Sequence, residues 1–248
     1  MEAWELALAA VGSFVAGYVG SMLGLVLGTL RLPLLVWLAG SSVAAAGTNI
    51  AISAAAAASG SVGHAREGRV DWRLVAWMAP PSVAGAVLGA LVADDVSERL
   101  LQALIAAVLL WSGVDLAFRP VQPRVRERPR LWPAVTGGFG IGALGGAVGV
   151  ILGTLRMPTL VRGVGLDVKR AAGTNLVVGF LLGVAGFAAH VGASGIEWKL
   201  LAAGLAGAIP GGWLGARATG RHDEDALRAA LGAVLVLVGL AFALQAAF

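Results

Sequence analysis

Two nearly identical hexapeptides in this chain, Gly28-Thr29-Leu30-Arg31-Leu32-Pro33 and Gly153-Thr154-Leu155-Arg156-Met157-Pro158, each set an arginine inside a long apolar run. An ionised side chain at bilayer depth costs at least about 2.5–3.5 kcal/mol on insertion scales and marks a functional site by default. Finding it twice in matching local sequence argues against accident. Each copy also ends in proline, which removes a backbone donor and costs about 3 kcal/mol in a helix interior. Proline suits the first turn of a helix, so Pro33 and Pro158 are expected to start half-helices. Broken backbone at membrane depth survives only when it is buried in protein or lines a cavity.

The whole chain supports a membrane setting. Of its 248 residues 58% are hydrophobic and only 13% charged, about half the charge of a soluble domain, and the mean hydropathy is +0.85. Apolar runs recur along the full length, which indicates an integral helical bundle rather than a soluble domain with one anchor. The 37 glycines, with many alanines, let helix backbones approach closely in lipid. With no cysteine there is no disulfide, thiolate metal site or cysteine nucleophile. The pI near 10.6 comes from loop arginines and argues membrane orientation before nucleic acid. The acidic start, Met1-Glu2-Ala3-Trp4-Glu5, lacks the basic region of a cleaved signal peptide, so the N-terminus is expected to be mature.

The second half repeats the first. Gly20, Gly24 and Gly28 match Gly145, Gly149 and Gly153, and Ala46-Gly47-Thr48-Asn49 matches Ala172-Gly173-Thr174-Asn175. His64 matches His190, Asp71-Trp72 matches Glu197-Trp198, and Gly85 and Gly89 match Gly211 and Gly215. The expected organisation is a first repeat over 1–118, a Pro- and Arg-rich linker over 119–130 and a second repeat over 131–248. Each repeat reads as a re-entrant or broken helical hairpin followed by three transmembrane helices, in an all-α polytopic membrane protein. Three crossings are an odd number, so the second half must be upside down. With the linker in the cytoplasm, the loops at 64–73, 119–130, 162–170 and 216–228 hold every lysine and arginine except Arg31, Arg156, Arg99 and Lys199. Four crossings per half would spread the positive charge almost evenly. The positive-inside rule therefore favours inverted repeats, with both termini outside the cell membrane.

In that arrangement the two hairpins enter from opposite faces and their tips meet near the midplane. Half-helix N-termini point there with free N–H groups and a positive dipole end. Arg31 and Arg156 add bidentate donor forks, Thr29 and Thr154 add hydroxyls, and Gly28 and Gly153 let backbone approach a ligand. Thr48, Asn49, Thr174 and Asn175 offer further neutral donors. This inventory suits a small oxyanion and neither a cation nor a neutral sugar. His64 and His190 sit at loop edges and read as solvated, and Trp72 and Trp198 read as belt residues. The linker arginines are expected to meet anionic lipid.

Gly24–Pro33 with Gly149–Pro158, Ala45–Asn49 with Ala171–Asn175, and Gly68-Arg69-Val70-Asp71-Trp72 with Gly195-Ile196-Glu197-Trp198 together resemble the TauE/SafE sulfite exporter family, also called the 4-toluene sulfonate uptake family. The resemblance spans essentially the whole chain. It implies a multi-pass transporter, in this reading an exporter, for sulfite, sulfonates or related sulfur-containing anions. The family usually has three glycines before the proline segment. This chain has Leu-Gly-Thr-Leu-Arg in both halves, so each departure installs an arginine. A passive anion channel with the same site as a filter is one alternative. A membrane assembly subunit whose arginines are structural is another. No Ser/His/Asp set, HExxH or pair of carboxylates at membrane depth supports an enzyme, and nothing in the sequence asks for a cofactor or a metal. The sequence leaves a homodimer open.

Overall fold

The computed structural model describes residues 2–93, 97–118, 130–148, 150–193 and 196–219, with further helical residues between 229 and 244. Its elements are α1 (Ala3–Leu23), α2 (Gly28–Ala39), α3 (Ser42–Arg66), α4 (Trp72–Ala93), α5 (Glu98–Phe118), α6 (Trp132–Val148), α7 (Gly153–Pro158) with a π-helical continuation over Thr159–Val164, α8 (Val168–Ala193) and α9 (Trp198–Ala218). Every regular element among the described residues is helical. Four stretches, Ala3–Leu23, Val43–Arg66, Trp72–Val92 and Val168–Ala188, are long and apolar enough to cross a membrane. The protein is thus an all-α polytopic membrane protein. Most of the linker, the acidic turn at 94–96, Gly149 and the side chain of His190 lie outside the described residues.

Local chemistry explains the first hairpin. The N–H of Glu2 donates to the Glu5 carboxylate at 2.6 Å, which sets negative charge at the positive end of α1. The helix stops at Gly24, whose φ of +68° lies in the left-handed region. A Cβ at Gly24 would also collide with Ala172 of α8, so this position needs glycine twice over. Leu25–Leu27 are non-helical, and α2 begins at Gly28.

The expectation that the prolines open half-helices is corrected here. Pro33 lies inside α2, five residues after its start, and Pro158 is the last residue of α7. The break has already been made upstream at Gly24, so proline is not needed to make it. Pro33 then forfeits one bond, to the carbonyl one turn back. After Pro158 the wider π-helical turn takes up the same defect. The hairpin arms are also unequal: α1, with 21 residues, rises about 31 Å, and α2, with 12, about 18 Å. The first arm is long enough to cross a hydrocarbon core of about 30 Å. The Ser21 carbonyl meets His64 Nε2 at 3.1 Å and the Met22 carbonyl accepts from Thr219 Oγ1 at 3.1 Å. The tip of α1 therefore stands level with the ends of α3 and α9.

Packing joins the two halves element by element. Helix α1 runs parallel to α9, with Gly207 against Ala10, Gly211 against Phe14 and Gly215 against Tyr18. Helix α4 runs parallel to α6 in the same manner, with Gly85 against Phe139 and Gly89 against Ala143. At each of these points a Cβ on the glycine would strike a backbone oxygen of the partner. Lipid gives no hydrophobic force between helices, so such backbone approach supplies the van der Waals contact instead. Helices α3 and α8 run antiparallel: Gly186 meets Ile50, Gly183 meets Ala54, and Gly60 meets Leu176. Two matched hydrogen bonds close this central pair. The Asp71 N–H donates to Thr174 Oγ1 at 2.9 Å, and the Glu197 N–H donates to Thr48 Oγ1 at 3.1 Å. Helix α5 packs antiparallel on the last described segment, with Gly113 against Gly232 and Leu110 against Gly239.

These seams predict opposite signs for one substitution. Gly85→Ala and Gly211→Ala should each lower stability by about 1–3 kcal/mol through overpacking. Gly140→Ala faces open space within helix α6 and should raise it by about 0.4–1 kcal/mol. Unfolding of the three variants in detergent, followed by circular dichroism, checks this; equal effects would remove the seams from the account.

Candidate functional site

The two arginines occupy matched positions in the first turn of α2 and of α7, and both are buried, at 3% and 0% exposure. Each reaches the asparagine on the helix that follows its hairpin. Arg31 donates from Nε to Asn49 Oδ1 at 3.1 Å, and from Nη2 to Asn49 Oδ1 at 2.9 Å and the Asn49 carbonyl at 3.1 Å. Its Nη2 also donates to Ser53 Oγ at 2.6 Å. Arg156 donates from Nε to Asn175 Oδ1 at 2.9 Å. Its Nη1 and Nη2 are buried and have no hydrogen-bond partner among the described residues. The two heads extend past their asparagines, one to Ser53 and the other beside Gly179, toward the middle of the antiparallel α3–α8 pair.

Asn175 also ties the hairpins together. Its Nδ2 donates to the Gly24 carbonyl at 2.8 Å and the Gly153 carbonyl at 3.1 Å, one from each half. The non-helical segment of the first hairpin touches the start of α7 there: a Cβ on Gly153 would lie 2.7 Å from the Val26 nitrogen. A Cβ on Gly28 would collide with Ser53 Oγ and lie 3.2 Å from Asn49 Nδ2. Thr29 Oγ1 is buried with no partner among the described residues, whereas Thr154 Oγ1 bonds Ser112 Oγ at 3.0 Å. Thr48 and Thr174 accept the cross-half hydrogen bonds that close α3 and α8.

The electrostatics are one-sided. The buried polar and charged groups among the described residues include Arg31 and Arg156 but no aspartate or glutamate. A buried ion carries an effective penalty of several kcal/mol unless charge and hydrogen bonds compensate it. Neutral amide and hydroxyl oxygens supply only part of that compensation. A small cavity of about 10 Å³ beside Arg31 is bounded by Gly17, Ser21, Val26, Gly28 and Ser53. It is about the size of one water and too small for an oxyanion.

His64 differs from its sequence reading. It is fully buried, with Nε2 on the Ser21 carbonyl, because Gly63 and Gly173 let neighbouring helices close around it. Trp72 and Trp198 are exposed at the starts of α4 and α9. Asp71 pairs with Arg170 across the halves at 3.0 Å. Sequence reasoning overlooked Ser53, Ser112 and Val26. Ser53 carried a usable signal: it follows Asn49 by one helical turn and so shares its face.

The helical bundle and its buried arginines define a helical membrane protein with a polar centre, and its likeness to known proteins gives the class. The family model described as "Sulfite exporter TauE/SafE" matches residues 8–242. The chain belongs to this family of membrane transporters, which sets an enzymatic reading aside. A Sinorhizobium protein named "Probable membrane transporter protein ORF9" is 28% identical over 97% of this chain and 91% of its own length. A Bacillus subtilis protein named "Probable membrane transporter protein YdhB" is 24% identical over 79% of this chain and 82% of its own. No solved structure matches the chain significantly.

The asparagine contacts generate a stability prediction. Asn175→Ala removes the Arg156 Nε acceptor and both carbonyl bonds, and should cost about 3–5 kcal/mol, roughly the sum of one charge-assisted and two neutral buried hydrogen bonds. Chemical unfolding in detergent measures the loss; a cost below about 1 kcal/mol would mean that Asn175 does not hold the centre.

Proposed function

We propose that the protein is a secondary transporter of a small oxyanion of the sulfite or organosulfonate class, exporting it across the cell membrane by alternating access. The observation that carries this reading is the pair of buried arginines without a buried carboxylate among the described residues. A bound oxyanion would neutralise the charge and accept from guanidinium N–H groups. In this reading Arg31 and Arg156 face the anion, Thr29 and Thr154 supply hydroxyls, and Gly28 and Gly153 keep the approach open. Asn49 and Asn175 hold the arginines in position, and Thr48 and Thr174 fasten the two halves at either end of the central pair.

The transport cycle follows from two repeats, 1–118 and 131–248, of inverted topology joined by a cytoplasmic linker. Support comes from the antiparallel packing of α3 on α8, which are equivalent in the two repeats. The parallel pairs α1–α9 and α4–α6 fit the same orientation. Two halves related in this way give two conformations of similar energy, one open to each face. A carrier passes between them, whereas a channel would keep a continuous path open to both faces.

Two experiments test the reading. Arg31→Ala and Arg156→Ala should each abolish sulfite flux in proteoliposomes while the protein remains folded; wild-type flux in both would end the site assignment. The absence of cysteine gives a clean background for topology. Trp72→Cys should react with an impermeant maleimide only from the cytoplasmic side, and Trp198→Cys only from outside. Labelling of both from one side would exclude the inverted arrangement.

A further inference from the structure

The two halves differ at one position that decides what each arginine can do. Ser53 lies four residues after Asn49, and Gly179 lies four residues after Asn175. Ser53 Oγ accepts from Arg31 Nη2 at 2.6 Å. Gly179 offers no hydroxyl, and a Cβ built on it would stand 3.1 Å from Arg156 Nη2. The first guanidinium is therefore held through Nε and Nη2 by protein oxygens. The second is held through Nε alone, and its two terminal nitrogens are buried without partners among the described residues.

We infer that the anion is coordinated by Arg156 Nη1 and Nη2, that Gly179 keeps this fork free, and that Arg31 is a positioning residue locked by Asn49 and Ser53. The inference rests on the anion-transport reading and assigns unequal roles within that site. Leaving buried charged donors unpaired carries the full desolvation penalty of those groups, and a ligand that accepts from both removes it. Two terminal nitrogens of one guanidinium match two oxygens of one anion, as in Arg–carboxylate and Arg–phosphate forks. A sulfite ion or a sulfonate head group presents such a pair; a halide does not. Arg31 would have to give up the Ser53 bond to make its own Nη2 available. Val26 and Ile151 cover the same side of Gly179, with the Val26 side chain 2.9 Å and that of Ile151 3.4 Å from its built Cβ. Entry of the anion therefore displaces the Val26 side chain, which also bounds the cavity beside Arg31.

The test transplants the Ser53 hydroxyl. Full-length wild type, Gly179→Ser and Gly179→Ala are titrated with sodium sulfite under argon by calorimetry. The alanine variant controls for crowding, so the difference between the two variants reports the hydroxyl. Gly179→Ser should bind sulfite at least about ten-fold more weakly than Gly179→Ala, because the new hydroxyl competes for the fork. Equal affinities overturn the assignment. If the Gly179 variants do not fold, Arg156→Lys and Arg31→Lys replace them. The loss of affinity should be at least about ten-fold greater for Arg156→Lys, and an equal or reversed order overturns the assignment. Wild type that binds neither sulfite nor 4-toluenesulfonate ends the anion reading itself, a result distinct from wild-type binding with the wrong variant order.

Discussion

An arginine held by an asparagine on the next helix is the contact on which the centre of this protein depends. It joins three demands that oppose one another. The guanidinium must stay charged in a low-dielectric interior, the chain must break at Gly24 and again ahead of Gly153, and the broken ends must be satisfied without water. Asn49 meets the first of these demands, and Asn175 meets part of all three with a single side chain. The Asn175 carbonyl oxygen takes the arginine Nε while its amide nitrogen caps carbonyls from both hairpins. A polar network of this kind is stable only when nearly complete. Its incompleteness at Arg156 is thus its most informative feature.

Around that centre, stability comes from close approach rather than from large side chains. The helices that flank the hairpins touch along glycine seams, where carbonyl oxygens lie against the partner backbone. The core that results is built of Ala, Leu, Val, Ile and Met, and few aromatic residues enter it. The aromatic residues lie mainly outside: Trp37, Trp72, Trp132 and Trp198 are all well exposed. That distribution suits a membrane protein whose outer surface is solvated by lipid.

Much of this was legible in the sequence because repetition amplifies weak signals. One apolar run with an arginine is ambiguous; two in matching context specify a pair of breaks and a pair of charges. The all-helical class followed from hydropathy, and the family from motifs in both halves. What escaped were features set by three-dimensional proximity. Proline suggests the break, but the left-handed Gly24 makes it, and helix α2 starts at Gly28, five residues ahead of Pro33. His64 was read as solvated because the polar loop was near, whereas small residues on α3 and α8 bury it. Thr48 and Thr174 look like ligand donors in one dimension and fasten opposite halves in three. The contrast between Ser53 and Gly179 was visible in the aligned repeats but had no meaning until the guanidinium groups were placed beside them.

The interleaved seams also bear on how the chain reaches this state. Among the described residues helix α1 meets a parallel partner in α9 and α4 meets its own in α6, so these seams are closed between the halves rather than within either one. During synthesis the glycine face of α1 enters lipid long before α9 exists. Contacts so distant along the chain carry a large closure cost before they return anything. The first half therefore enters the bilayer with these seams unfilled, and they close only when the second half arrives. Biogenesis of this protein is in that respect an assembly of two subunits that happen to share one chain.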